Sequence, residues 1–374
     1  MLKKRILSFL GAAALTAVLT FAVVSLSPAN GFTSGSIQEG LSYEVCGVSP
    51  DAIVASLDGN GASADLITYW IGYNASYLNS YMQYYGGGAL DWDYVMADGT
   101  TMPDYIMQDV LTTVKQELLV ENLAEKYGVT LTDAQRAAMD ADVQGFVEQY
   151  GSEEAFDEEL AKLGLRRETY ERITSANYLF QNLYQLYLTE GSALYVSAED
   201  LAAYAAAQGY ITADHILLTT VDTATGEALS DETVAEKRAL AESLAEKLRS
   251  YTGDDLASYF AELAGEYSED PGRASNPTGY TFTTGAMVPE FEAAAYALAE
   301  GAVSEIVESS FGYHILLRLP LDKAAAADAV RETYFTDFFS DRVESAVIAT
   351  SAEFDKLDPQ VLYETIQAAA QVEG

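Results

Sequence analysis

Apolar residues recur at three- and four-residue intervals over most of this chain, which is the spacing of amphipathic helices. In 105–127 the repeat stops at Gly128, which favours a helix end there. The same spacing predicts helices over 64–85, 166–188, 324–348 and 359–370. In the first of these the recurring residues are Trp70, Tyr73, Tyr77, Tyr81 and Tyr84. One face of that helix is therefore predicted to be aromatic.

Polar residues mark where other elements begin. Residues 52–57 are a short apolar run, typical of a strand, and the Asp58-Gly59 pair after it is typical of a tight hairpin turn. Thr132 with Gln135 has the pattern of a capping box, which opens a helix. A strand followed by a set of helices is thus predicted for the first half of the chain.

The first 29 residues have the pattern of a secretory signal peptide. The basic start Lys3-Lys4-Arg5 is followed by an uncharged apolar run over 6–26, and small residues follow at 27–29. We expect cleavage after Ala29 and a flexible leader over 30–49. The apolar run is long enough to span a bilayer, so retention as a membrane anchor is the alternative.

Cysteine and histidine are scarce, which limits the chemistry available. The chain has one cysteine, Cys46, and two histidines, His215 and His314. One cysteine permits no intrachain disulfide and no cysteine metal cluster, and two histidines so far apart disfavour a histidine metal site. No metal site and no cofactor are therefore predicted. Cys46 lacks the small preceding residues of a lipid-attachment site and is interpreted as an ordinary residue.

The chain is strongly acidic. It has 57 Asp and Glu residues and 20 Lys and Arg residues, which give a formal net charge of −37 over 374 residues. Such a field disfavours nucleic acid and anionic lipid as partners and favours basic polypeptides and cations. No twelve-residue calcium loop is present in the sequence. Binding of cations or of basic clients at the cell surface is kept as a third hypothesis beside plain solubility.

Both histidines lie in the stretch 211–319, each within a short apolar run typical of a buried strand. Between them come helical patterns, the turn Tyr267-Ser268-Glu269-Asp270, and Gly285-Ala286-Met287-Val288-Pro289-Glu290-Phe291-Glu292. Together with the opening His215-Ile216-Leu217 and the closing Phe311-Gly312-Tyr313-His314-Ile315, these motifs resemble a parvulin-type peptidyl-prolyl isomerase domain. The resemblance covers about the whole of such a domain.

This resemblance implies a catalytic group and an apolar slot for the proline ring. The catalytic residues that it implies are His215, Asp270, His314 and Ser309. The substrate-binding residues that it implies are Met287, Phe291 and Phe282. It also implies that the two histidines lie on adjacent strands, with their rings linked by hydrogen bonds through or beside Asp270 and Ser309. Outside the family context, such Met and Phe residues, or a single histidine, are more often ordinary core.

Two stretches depart from the family pattern. Phosphate-directed parvulins carry a basic cluster after the first histidine, whereas 219–232 has no Lys or Arg and four acidic residues. A phosphoserine before the proline would be repelled there, so a neutral or apolar residue is expected at that position. The second departure is Asn276-Pro277-Thr278, where relatives usually have a Gly-rich lead into the second strand.

The predicted fold class is α+β, with a small antiparallel sheet surrounded by helices in the parvulin domain. That domain is predicted to be inserted in, or flanked by, a mostly α-helical chaperone domain. By pattern only, the helical part resembles the chaperone region of the PrsA and SurA class of extracytoplasmic foldases. The predicted domains are the signal peptide (1–29), the leader (30–49), the helical chaperone domain (50–210), the parvulin domain (211–320) and C-terminal helices that pack on the chaperone domain (321–374).

The resemblance implies a secreted isomerase and chaperone outside the cytoplasm. Its expected partners are unfolded or partly folded exported polypeptides with Xaa-Pro bonds, and no nucleic acid. Membrane association through an uncleaved N-terminal segment is the alternative to secretion. The alternative function is a non-catalytic holdase that uses the parvulin domain as a peptide-binding module, with the Tyr-rich helix near 73–85 carrying the binding.

Overall fold

A computed structural model describes residues 40–85 and 87–370. The chain divides into two compact units. The inserted unit is Val196–Tyr334, and the helical unit comprises the described residues up to Tyr195 together with those from Phe335 onward. The predicted signal peptide (1–29) and the first part of the predicted leader (30–39) lie outside the described residues. Among the helices that the structure describes, none combines the length and the apolar character needed to cross a membrane.

The helical unit contains a small sheet. Strand β1 (Ile53–Leu57) pairs antiparallel with β2 (Asn60–Ser63) across the predicted Asp58-Gly59 turn, where both residues have positive φ, 51° and 89°. Strand β7 (Ala349–Thr350) pairs with the other edge of β1, so a segment that follows the inserted unit completes the sheet order β2-β1-β7. The predicted strand and hairpin turn are confirmed.

Helices form the rest of this unit. They are α1 (Leu41–Cys46), α2 (Ala64–Tyr84), α3 (Met102–Tyr127), α4 (Asp133–Tyr150), α5 (Glu153–Lys162), α6 (Arg167–Leu188), the second half of α11 (Lys323–Ser345), a 3₁₀ turn (Phe354–Lys356) and α12 (Pro359–Ala369). The predicted capping box of Thr132 and Gln135 opens α4, and Gly128 ends α3 in a left-handed conformation. Ile366 of α12 lies so close to Gly72 of α2 that a Cβ there would meet it at 2.6 Å.

The predicted flexible leader is wrong for residues 41–46, which form α1. Leu41 and Val48 are buried, and Gly47 ends the helix with φ of 69°. Burial of these two apolar side chains holds the segment against the core. The predicted aromatic face of α2 is divided, since Trp70 is buried and Tyr84 is exposed.

The inserted unit is built on a four-stranded antiparallel sheet of order β4-β3-β6-β5. Its strands are β3 (Ile211–Thr219), β4 (Tyr280–Phe282), β5 (Val307–Ser309) and β6 (Gly312–Leu319). Its helices are α7 (Ala198–Ala207), α8 (Asp231–Arg249), α9 (Leu256–Tyr267), α10 (Pro289–Ala297) and the first half of α11. The predicted α+β class, with a small antiparallel sheet among helices, is confirmed.

Both faces of this sheet are covered, which explains why β3 is buried along its whole length, its polar residues included. On one face Ile216, Leu218 and Ile315 pack against α8 and α9. On the other face Ala213 and Leu316 pack with Phe282 and Phe291. The second face also carries the two histidines.

The inserted unit includes α7 and the start of α11 in addition to the sheet. Leu201 and Ala205 of α7 pack with Ala326, Ala327 and Val330 of α11 in a small apolar cluster. The domain boundaries at 211 and 320 stay a prediction.

Candidate active site

The two histidines lie on the central strands of the sheet and point to the same face. In the antiparallel pairing, His215 of β3 lies opposite Leu316 of β6, and Leu217 lies opposite His314. Side chains two positions apart share a face, so both imidazoles lie on one side. Their ring centroids are 5.4 Å apart, with an edge-to-face angle of 76°. The expectation of adjacent strands agrees with this placement.

His314 is bonded to Ser309, as the resemblance implies. Ser309 Oγ lies 2.7 Å from Nε2 of His314 and also accepts a hydrogen bond from the Phe311 amide. The Ser309 hydroxyl has one hydrogen and two lone pairs, so it donates to Nε2 in one tautomer of the neutral imidazole and accepts from Nε2 in the other. Burial, followed by repulsion from His215, lowers the pKa of His314 to about 4. His314 is therefore neutral at pH 7.

His215 is held without hydrogen bonds to its ring. Its Nε2 lies 3.4 Å from Asp270 Oδ2, within ion-pair range, yet neither ring nitrogen has a hydrogen-bond partner among the described residues. The expected link from His215 through Asp270 is thus a close contact and not a hydrogen bond. Burial lowers the pKa of His215, against the opposing effects of Asp270 and Asp214. The imidazole is neutral at pH 7.

Both carboxylate oxygens of Asp270 accept hydrogen bonds from other donors, which explains why Asp270 forms no hydrogen bond with His215. The Gly272 amide donates to Oδ1 at 3.0 Å, and the Tyr280 hydroxyl donates to Oδ2 at 2.5 Å. Burial, followed by the Asp270 carboxylate, raises the pKa of Tyr280, so that its hydroxyl stays a donor. The Tyr280 ring also stacks on His215, with centroids 5.4 Å apart and planes 8° apart.

The three apolar residues assigned to the proline slot come together beside the histidines. The Phe291 ring stands edge-on to both imidazoles, 5.1 Å from His215 and 5.6 Å from His314. Phe282 lies 5.8 Å from Phe291, and both are buried, whereas Met287 is half-buried on the same cluster. The two Phe residues form a floor, and Met287 lies at its edge. Their role in gripping proline stays a prediction.

An ion pair that the sequence analysis did not anticipate ties the Asp270 loop to β3. Arg273 donates to Asp214 Oδ1 at 2.7 Å, and Asp214 also accepts from the His215 amide at 2.8 Å. Asp214 faces away from the histidine side chains, and it is buried together with most of Arg273. The available signal was an aspartate inside an apolar strand, because a buried carboxylate requires a partner.

Tyr280 is the other site residue that sequence reasoning missed. It follows the stretch 276–278, which departs from the family pattern, and no motif assigned it a role. An aromatic residue at the start of a short strand is common, so its type alone gave no signal.

Comparison with known proteins assigns this part of the sequence to a family. Residues 215–319 match the family model of the PPIC-type PPIase domain, a rotamase. This segment is a parvulin-type domain. Its histidines, Asp270 and Phe291 therefore lie in the domain that the sequence motifs resemble.

Several curated relatives are foldases. Foldase protein PrsA 1 of Bacillus cereus is 36% identical over 125 residues, which cover 32% of this chain and 43% of that protein. Foldase protein PrsA of Oceanobacillus iheyensis is 31% identical over 211 residues, which cover 55% of this chain and 58% of that protein. Matches of this kind thus span about a quarter to three fifths of the relatives' length.

Solved structures match this chain with low TM-scores. PrsA from Bacillus subtilis is 19% identical, with coverage of 76% of this chain and 94% of that chain and a TM-score of 0.25. The parvulin of Nitrosopumilus maritimus is 35% identical, with coverage of 30% of this chain and 96% of that chain and a TM-score of 0.21. At these TM-scores the solved structures add nothing to the assignment.

Proposed function

We propose that this chain is a peptidyl-prolyl cis-trans isomerase that acts on unfolded polypeptides. The observation that carries the proposal is the pair of neutral, buried imidazoles above Phe291, with Asp270 beside them. Prolyl isomerisation is slow because twisting the amide removes its resonance, at a barrier of roughly 20 kcal/mol. A catalyst must favour the twisted amide over the planar one.

An uncharged aromatic enclosure meets that requirement. The planar amide is more dipolar than the twisted amide, because resonance moves charge from nitrogen to oxygen. Walls made of Phe282, Phe291 and two neutral imidazoles solvate the dipolar planar form poorly, and so they favour the twist. Met287, at the edge, is placed to contact a proline ring.

The test is an isomerisation assay on the full chain with a neutral Xaa-Pro peptide, measured by exchange NMR. We expect the variant with His215→Ala and Asp270→Ala to lose most of the rate. A matched control is Glu242→Ala, which removes an exposed carboxylate from α8. Circular dichroism verifies that each variant is folded. Equal rates for the wild type and the double variant remove the enzymatic proposal.

The proposed substrates have a neutral or apolar residue before proline. The basic side chains of the inserted unit are largely engaged with carboxylates. The ion pairs are Lys237–Glu269, Arg238–Glu242, Arg249–Glu305, Arg273–Asp214, Lys323–Glu199 and Arg331–Asp328. A phosphate before proline would have to compete for these cations. Equal kcat/KM for phosphoserine-proline and alanine-proline peptides would contradict this part of the proposal.

We further propose that the clients are exported proteins met outside the cytoplasm. The curated relatives are named foldases, and the sequence opens with a signal-like segment. Fractionation of cells that express the full chain tests the location. Recovery of the protein with the cytoplasmic fraction would refute it.

A second candidate function, holding of unfolded chains, is favoured by the end of α2. Tyr77, Tyr81, Tyr84 and Tyr85 there are 54%, 51%, 83% and 69% exposed. The rings of Tyr81 and Tyr85 lie 4.6 Å apart, and those of Tyr84 and Tyr85 lie 5.0 Å apart. From Leu66 to the end of α2 the sequence has no charged residue. Exposed tyrosines on an uncharged surface suit binding of varied polypeptides at low entropic cost.

The test of this function is suppression of client aggregation. Replacement of Tyr81, Tyr84 and Tyr85 by Ser should weaken suppression and leave prolyl isomerisation unchanged. Tyr43→Ser, which alters an exposed tyrosine of α1, is the control. Undiminished suppression by the triple variant would refute the assignment of holding to this surface.

A further inference from the structure

We propose that Tyr280 is a positioning residue for the isomerase site. Its ring fixes the plane of the His215 imidazole, and its hydroxyl occupies the Asp270 oxygen that would otherwise bond to that imidazole. The inference rests on the proposed function, and no motif of the sequence assigns Tyr280 a role.

Three rings enclose the His215 imidazole. Tyr280 lies parallel to it, with planes 8° apart, while Phe291 and His314 meet it edge-on at 82° and 76°. A ring covered on one face and bounded at two edges has few other orientations without a clash. Stacking therefore sets the orientation of the His215 ring, which has no hydrogen bond among the described residues to hold it.

The Tyr280 hydroxyl limits the hydrogen bonds that the Asp270 carboxylate can accept. Oδ1 of Asp270 accepts from the Gly272 amide, and Oδ2 accepts from Tyr280 at 2.5 Å. His215 Nε2 is 3.4 Å from the same Oδ2 but is not aligned to donate. A carboxylate that already has a strong donor on each oxygen gains less from a third. Tyr280 thus keeps Asp270 from drawing a proton onto His215.

Two glycines near Tyr280 leave room for its side chain and for the approach of its strand to β3. A Cβ on Gly272 would lie 2.3 Å from the Tyr280 hydroxyl oxygen. Gly279, with φ of +96°, brings the chain against β3, where a Cβ would lie 2.9 Å from the Ala213 carbonyl oxygen. Tyr280 then pairs with Ala213, two positions before His215 on β3, which makes Tyr280 the diagonal neighbour of His215 across the strands. Both glycines are needed for this placement.

Loss of the hydroxyl should change the charge state of His215. In Tyr280→Phe, Asp270 Oδ2 loses its donor, and the nearest replacement is His215 Nε2. The other charged or titratable groups near His215 are Asp214, Arg273 and His314, and the Asp214–Arg273 pair is unchanged by this variant. An ion pair with a carboxylate at this distance raises the pKa of a histidine.

The experiment is NMR titration of the two histidines in the full chain, carrying ¹³C-labelled histidine. With only His215 and His314 present, His314→Gln assigns both signals. In Tyr280→Phe we expect the pKa of His215 to rise by about 1 unit or more. The acid limb of kcat/KM should move to higher pH by the same amount.

Tyr296→Phe is the matched control, because it removes a hydroxyl that donates to the Gly209 carbonyl in the same unit, away from the histidines. It should leave the His215 titration in place. Addition of Asp270→Asn to Tyr280→Phe should abolish the rise, which separates loss of the hydroxyl from loose packing.

The result that overturns the inference is a His215 titration in Tyr280→Phe that matches the wild type. A rise that persists when Asp270→Asn is added overturns it as well. The NMR readout does not depend on turnover, so a wild-type chain without isomerase activity would refute the proposed function and leave the positioning role to be judged by the titration.

Discussion

Acidification from pH 7 to pH 4 should destabilise the inserted unit through His314. Its pKa is lowered from 6.5 to about 4 in the folded chain, because burial and the neighbouring His215 disfavour its charged form. Between these two values the unfolded chain binds a proton that the folded chain does not. The stabilising contribution is therefore fully present above pH 6.5, declines as the pH falls to 4, and is constant below that.

The magnitude follows from the size of the shift. A pKa change from 6.5 to about 4 is about 2.5 units, and each unit is worth about 1.4 kcal/mol, so the total is about 3.5 kcal/mol. Because His314 is only half protonated in the folded chain at pH 4, about 3 kcal/mol of this lies between pH 7 and pH 4. This value applies without discount for solvent screening because only 4% of His314 is exposed. A loss of that size is a large part of the stability of one domain.

Urea unfolding of the full chain at pH 7, 5.5 and 4 measures the effect. Both histidines lie in the inserted unit and both tryptophans, Trp70 and Trp92, lie in the helical unit, so histidine NMR signals follow the inserted unit alone. His314→Gln is the comparison variant, because its amide can still bond to Ser309 but does not titrate. Carboxylate titrations are common to both proteins and cancel in the difference.

The free energy of unfolding of the wild type, relative to His314→Gln, should fall by about 3 kcal/mol between pH 7 and pH 4. A difference that stays constant over this range would show that His314 titrates normally in the folded chain. The argument from burial and from the His215 contact would then be wrong.

Two further predictions concern stability. Burial raises the pKa of Glu117, which accepts from the Trp70 indole, to about 8 from 4.5, so this residue costs stability as the pH rises through that interval. Glu117→Gln should stabilise the helical unit at pH 9 by on the order of 5 kcal/mol and little at pH 4, and equal tryptophan-detected unfolding at pH 9 would refute this. Gly279→Ala, with φ of +96° and a Cβ 2.9 Å from the Ala213 carbonyl, should cost about 2 kcal/mol or more. Gly285→Ala, with φ of +86° and open space, should cost only about 1 kcal/mol by the same urea assay, and equal losses would show that close approach to β3 is not the cause.

Local sequence patterns predicted many helices and strands, because caps, turns and helical periodicity depend on residues close together in the sequence. The capping box at Thr132, the Asp58-Gly59 turn and the helical periodicity of α3 each involve residues within a few positions. The placement of both histidines on adjacent strands, by contrast, was implied by the family resemblance and not by a local pattern. Helix α1 was missed because its six residues are too few to show a helical period.

The contacts of the site depend on loops and could not be predicted in the same way. Asp270 and Tyr280 are ten residues apart, and their hydrogen bond forms only because Gly272 and Gly279 let the loop fold back on β3. Family resemblance directed attention to Asp270 and His215 as a bonded pair. In the observed loop conformation, Asp270 Oδ2 accepts a hydrogen bond from Tyr280 instead.

The site carries little charge, whereas the whole chain is strongly acidic. The chain has a net charge of −37, yet the groups around Phe291 are two neutral imidazoles and a carboxylate, Asp270, that is held by donors of its own. Isomerisation transfers no proton, so neutral imidazoles serve as uncharged walls and not as acid or base. On this argument the rate is independent of pH where both histidines are neutral, and it falls once they become charged, because a charged wall solvates the dipolar planar amide as well as it does the twisted one.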